Sequence, residues 1–150
     1  MKKQAYKIFT LMALFLVLTA LSAQAQSRGT MEAQIPFDFI AGETHLPAGT
    51  YSIKQISRGD EKAMLVRSQD AQAAAVVITG AVQSSAEHNR ARLIFHKYGE
   101  QYFLSQVWDS EGRAGRELFT SKAERQLVKE QKAAKREAKP QTVEVAAHVK

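Results

Sequence analysis

The sequence predicts an all-β fold: an antiparallel β-sandwich or small barrel of about six to seven strands, followed by a basic α-helix. Three observations carry this. Apolar residues recur at a period of two through much of residues 31–119, the mark of strands buried on one face. Clusters rich in Gly, Pro, Asn and Asp interrupt the pattern at short intervals, as turns between antiparallel strands require. At Ser121 the alternation stops, and a charged run without Gly or Pro extends to Lys139.

Residues 1–25 read as a cleavable signal peptide. Lys2, Lys3 and Lys7 precede an apolar run from Ile8 to Leu21, and Ala23-Gln24-Ala25 supplies a small-x-small cleavage site. The run is short for a span, which takes about 20 residues, so no transmembrane segment is expected after cleavage. The expected mature chain starts at Gln26 and is exported, to the periplasm or beyond the cell. The chain has no cysteine, which excludes lipoprotein attachment, disulfides, haem linkage through C-x-x-C-H and thiolate metal sites.

Residues 26–120 are expected to form one β-domain. Met31, Ala33, Ile35, Phe37 and Phe39 share a parity, so the first strand has one apolar face. Pro36 donates no hydrogen bond, which points to an edge strand or a bulge. Gly42, Pro47 and Gly49 mark a turn region, where Gly49 can take positive φ as the chain reverses, before a second strand from Gly49 to Ile56. A turn is expected at Ser57–Asp60, a short strand at Ala63–Arg67 and a connection at Gln69–Gln72. Ala73–Val82, with Val76, Val77 and Ile78 in a row, reads as a strand buried on both faces; its alanines make a helix the competing assignment. Gln83–Asn89 reads as a polar loop. The next two strands meet in a hairpin at Tyr98-Gly99-Glu100. On the second of them Tyr102, Leu104 and Trp108 share a parity, before a turn-rich Asp109–Gly115.

Residues 121–139 are expected to be a basic helix. Ser121-Lys122-Ala123-Glu124 has the spacing of a capping box, and the helix should run from about Lys122 to Ala138 with little to bury. Residues 140–150 are expected to be a disordered tail, in which Val143 and Val145 could add a short strand. The formal net charge of +6 is unevenly placed. Residues 26–120 hold 10 basic and 11 acidic residues, whereas residues 121–139 hold seven and three. The body is therefore not a basic fold of the kind that binds polyanions, and export removes nucleic acid from reach. Because the alternation ends at Phe119, residues 26–120 should fold alone.

Ile35-Pro36-Phe37-Asp38-Phe39, Gly42, Leu46-Pro47-Ala48-Gly49-Thr50-Tyr51 and Ser121-x-x-Glu124-Arg125 resemble a group of small exported β-rich proteins from Acidobacteria and related soil bacteria. The resemblance covers most of the mature chain. It implies a β-rich domain behind a signal peptide and brings no catalytic residues. The residues give L-P-A-G-T-Y a structural role as a corner, in which the Tyr51 hydroxyl can satisfy a loop carbonyl.

Catalytic patterns are sparse. There is no G-x-S-x-G elbow, and His45, His88, His96 and His148 stand apart from one another. His96 alternates with the apolar parity and is expected on a solvated face. No metal set and no cofactor is expected. Tyr98, Tyr102, Phe103 and Trp108 are candidates for stacking on a ligand if they face outward; otherwise they are core. Arg125, Lys129, Lys132, Arg136 and Lys139 step by four, three, four and three, so a helix gathers them on one side as a candidate site for an anionic envelope surface or acidic glycan. The functional expectation is a non-enzymatic binding or structural module of the cell envelope. The alternative is a barrel carrying an apolar or glycan ligand, and an envelope hydrolase ranks below both. A closed barrel with a polar-rimmed pocket would favour the carrier.

Overall fold

The structure is a computed structural model that describes residues 29–56, 63–110, 112–134 and 139–150. The expected signal peptide, the turn at Ser57–Asp60 and Arg136 lie outside these residues. Ten strands follow one another: β1 (Met31–Ile35), β2 (Phe39–Ala41), β3 (Thr44–Leu46), β4 (Gly49–Gln55), β5 (Ala63–Ser68), β6 (Ala74–His88), β7 (Arg92–Tyr98), β8 (Gln101–Trp108), β9 (Gly112–Leu118) and β10 (Gln141–Val149). One helix, α1 (Lys122–Ala133), separates β9 from β10.

The fold is a closed antiparallel barrel of eight strands with two outer strands, more strands than the six or seven expected. The ring runs β8-β7-β10-β1-β4-β5-β6-β9 and closes through β9 on β8. The outer pair β2–β3 joins parallel to β8 at Ile40↔Phe103. The first chain reversal is as the sequence suggests, since β1 pairs with β4 from Met31↔Ile53 to Ile35↔Gly49. The β2–β3 hairpin is an excursion within that connection, turning on Gly42 at φ 60°. Gly49, read as able to take the left-handed region, is not there; among the described residues Gly42 and Gly99 are the glycines that take it. β1 is paired on both sides, and Pro36 lies just past its end, where no ladder donor is needed.

Side chains from both halves of the ring fill the interior. Met31, Ala33, Ile35, Tyr51, Ile53, Val66, Val77, Leu93, Phe95 and Leu104 are buried there. Phe37, Phe39, Phe95, Tyr51 and Tyr102 form its aromatic centre: Phe37 stacks on Tyr102 at 3.9 Å, and Phe39 meets Tyr51 edge-on at 5.1 Å. Edge-on and offset contacts of this kind suit the aromatic quadrupole.

Four expectations fail for identifiable reasons. The 140–150 segment is not a tail. β10 pairs with β7 over Gln141–Ala146 and with β1 over Ala147–Val149, so it is a stave of the barrel. Consequently residues 26–120 lack one wall strand, and the expected domain boundary at 120 divides a single ring. β6 is not buried on both faces: Ala75, Val77 and Thr79 point inward, while Val76 and Ile78 are exposed on the outside. It also continues through the expected loop at Gln83–Asn89 and pairs with β9, which takes up part of the expected turn. Finally, the parity of β8 breaks. Ile94 pairs with Gln106 and Phe95 with Leu104, which leaves Ser105 as an extra residue, a β-bulge. Beyond it Val107, not Trp108, joins the interior.

α1 is shorter than expected and better docked. Ser121 caps it by accepting from the Glu124 amide at 3.0 Å, and the Glu43 carboxylate on the β2–β3 turn accepts from the Lys122 amide at 2.8 Å. Both satisfy amides that a helix start leaves unpaired. The helix stops at Ala133, short of Ala138. Its Leu127 and Val128 pack on Ile40, Tyr98 and Phe103, a small second core outside the barrel wall.

Candidate functional site

The strand directions bring the start of β1 and β5 to the same end of the barrel as the finish of β4 and β8. There the interior packing stops short of the rim and leaves a half-open cup of about 320 Å³. Met31, Ile53, Met64 and Val107 give it an apolar floor, and Gln55, Asp109 and Arg116 give it a polar rim. The floor residues are the last fully buried inward-facing positions of their strands. Two of them are methionines, whose flexible thioethers adapt to irregular apolar shapes. A cup of this size is at the small end of the range for ligand pockets.

The opposite end carries the L-P-A-G-T-Y corner. Tyr51 donates its hydroxyl proton to the Pro47 carbonyl at 2.7 Å, the contact that the sequence suggests. The Ala48 amide donates to Asp38 at 2.8 Å and ties the corner to the residue just before β2. Burial, with Asp70 and Asp38 nearby, pushes the Tyr51 phenol above its ordinary range, so the hydroxyl stays a donor. A groove of about 720 Å³ lies between this corner and the β5–β6 turn. In that turn Asp70 is held below the usual carboxylate range by the Ser68 hydroxyl and the Gln72 amide.

The chemistry-bearing side chains meet elsewhere, under α1. Glu124 Oε1 lies 2.9 Å from His96 Nδ1, and His96 Nε2 lies 3.1 Å from Ser105 Oγ. Tyr98 donates to the same Glu124 oxygen at 3.2 Å. This corrects the expectation that His96 faces solvent: its side chain is 32% exposed and bridges β8 to the helix. The Ser–His–Glu order is that of a catalytic triad, but a nucleophile also needs room for a substrate. Ser105 is 6% exposed and Glu124 is 7% exposed. The cup and the corner groove are lined by other residues. The cluster ties β7 and β8 to α1 as a polar clasp. It satisfies a carboxylate that the docked helix buries, and that carboxylate sits favourably in the helix's first turn. Desolvation, reinforced by Glu124, pushes the Tyr98 phenol up to about 12.

The four candidate stacking aromatics do not form an exposed platform. Tyr98 and Phe103 belong to the core beneath α1, and Tyr102 stacks on Phe37. Trp108 is buried on the outside of the wall, against Gly115 and with Arg92 over its ring at 5.9 Å. Of the five candidate basic residues, Arg125, Lys129 and Lys132 are exposed on the face of α1 away from the barrel, and Lys139 is exposed beyond its end. The stripe on the described helix thus has three members. No group of three or more His, Cys, Asp or Glu residues suited to a metal ion occurs among the described residues.

Sequence reading did not pick out the cup. Met31, Ile53, Met64 and Val107 look like any other inward-facing residues, and their place at a rim follows from strand register alone. The bulge at Ser105 likewise has no glycine or other local mark.

Fold and site together define a small closed antiparallel barrel with an apolar-floored cup at one mouth and a helix clasped to its side. Comparison with protein-family models, with curated proteins and with solved structures finds no match.

Proposed function

We propose that this chain is an exported, non-enzymatic binding module of the cell envelope that takes a compact amphiphile in the cup at the barrel mouth. The observation that carries the reading is the cup itself: an apolar floor of Met31, Ile53, Met64 and Val107 beneath a rim of Gln55, Asp109 and Arg116. Such a floor accepts an alkyl or ring portion, and the rim offers both donors and acceptors to a polar head. Burial of Ser105 and Glu124 in the clasp supports binding over hydrolysis. Export rests on the order of charges, apolar run and A-x-A site in residues 1–25; N-terminal sequencing of the exported protein should start at Gln26.

Calorimetric titration of residues 26–150 with octanoate and with octyl glucoside below its micellar concentration tests the cup. At least one is expected to bind, and Gln55→Trp, a bulky side chain at a half-buried rim position, should weaken binding at least about tenfold without lowering the melting temperature. Failure of both probes to bind, or binding indifferent to Gln55→Trp, would contradict the reading.

A further inference from the structure

The outer face of β5 and β6, flanked by Ile56 just past β4 and Phe119 just past β9, is apolar where a solvated barrel wall is expected to be polar. Val76 is 60% exposed, Ile78 52%, Ile56 43% and Phe119 65%. Register makes them neighbours. Leu65 pairs with Val76, and Ala63 pairs with Ile78; the Ile56 amide donates to Ala63, and the Phe119 amide donates to Ile78. Directly opposed residues on one face of a sheet stand about 5 Å apart, so these side chains form one continuous patch. Contiguous exposed apolar surface marks a docking site more often than scattered single residues do.

The charges around the patch select the partner. Lys54 lies across from Leu65 on the same face, and Arg67 lies across from Ala74 at the end of the Val76 row. Both are exposed. Glu117, paired with Gly80, sits at the far margin. Among the described residues the patch is therefore bordered by two cations and one acid, a net positive charge that a second copy of this chain would repeat and not complement. An anionic lipid surface instead offers phosphates to Lys54 and Arg67 and an acyl boundary to the four exposed apolar side chains.

We infer that the β4–β5–β6 face is a peripheral membrane-docking surface, with Ile56, Val76, Ile78 and Phe119 entering the headgroup boundary and Lys54 and Arg67 meeting anionic headgroups. The face is separate from the cup, so the inference does not depend on what the cup binds. It also differs from the basic face of α1, which lacks an exposed apolar cluster.

Co-sedimentation of residues 26–150, which contain every described residue, with phosphatidylglycerol vesicles and with phosphatidylcholine vesicles tests it. Binding should be at least about tenfold stronger to the anionic vesicles at low salt and fall as salt rises. Val76→Thr with Ile78→Thr keeps the β-branching and should reduce binding at least about tenfold; Lys54→Gln with Arg67→Gln should do the same. Changing Arg125, Lys129 and Lys132 to Gln should leave most of it. Circular dichroism and melting of each variant exclude misfolding as the cause. Absence of vesicle binding, binding lost only with the helix variant, or a concentration-dependent dimer abolished by the Val76 and Ile78 pair would each overturn the proposal.

Discussion

Gly115 shows how closely the outside of this barrel is packed. A Cβ built there would stand 2.6 Å from Trp108 Cε3, and the indole is held by its Nε1–H donating to Gln106 at 2.9 Å. Gly115→Ala is therefore expected to cost about 1–3 kcal/mol, seen as a lower melting temperature and a redder Trp108 emission. Ala71 has the opposite problem: it sits at φ 60° in the β5–β6 turn. A left-handed residue with a Cβ is strained by about 1–2 kcal/mol, partly offset by the entropy a glycine loses on folding. Ala71→Gly should stabilise the protein by up to about 1 kcal/mol in urea titration. Tyr98 supplies a pH dependence. Its folded pKa is raised to about 12 from an ordinary value of 10.0, so its contribution is complete below pH 10 and is lost as pH rises toward 12. Stability should fall over that window, and Tyr98→Phe should flatten the fall. At this scale the sequence is readable where partners are local. Tyr51 and Pro47 are four residues apart, and Ser121 and Glu124 three. Ser105 was not readable, because its bulge is a mismatch between two strands.

Among the elements, β10 and α1 decide how the barrel is finished. β10 pairs with β1, more than a hundred residues earlier in the chain, and with β7. Its own pattern is weak: Val143 and Val145 are half-buried, and only Ala147 is buried. No local signal separates such a strand from a tail, and its partners are fixed only once the ring forms. A chain ending at Lys139 leaves β1 and β7 with unpaired edges and opens the core. It should show no cooperative thermal transition, or melt far below the full mature chain. α1 was readable as a helix from its cap and charges, but not as a docked one. Its inward face is Glu124, Leu127, Val128 and Gln131, a polar–apolar mixture that looks too thin to pack. The missing half of that contact is Tyr98, Phe103 and Ile40 on the wall. Glu124→Ala removes the acceptor shared by His96 and Tyr98 and is expected to cost about 1–3 kcal/mol. Hydrogen exchange should then rise in α1 before it rises in the barrel strands.

For the whole molecule, alternation and turn spacing made an all-β fold legible but did not choose between sandwich and barrel. That choice depends on whether the early strands β1, β4, β5 and β6 join the late strands β7 and β8 at both sides, and β10, pairing with β1 and β7, and β9, pairing with β6 and β8, make those two joins. Closure removes most open edges, which a cysteine-free protein with no disulfide to hold its strands gains from. The same closure creates the two surfaces proposed to act: the cup where the staves end and the apolar face where β6 turns its valine and isoleucine outward. The cup has a built-in reporter. Once residues 1–25 are removed, Met31 and Met64 are the remaining methionines, and both line its floor. Methyl-labelled methionine resonances followed by NMR during titration of residues 26–150 with octanoate or octyl glucoside test the central claim most directly. The account predicts that both methyl signals shift together and saturate with one ligand per chain, and that Gln55→Trp suppresses the shifts. Two methyl signals that stay fixed while either compound binds, or at saturating amounts of both, would contradict it.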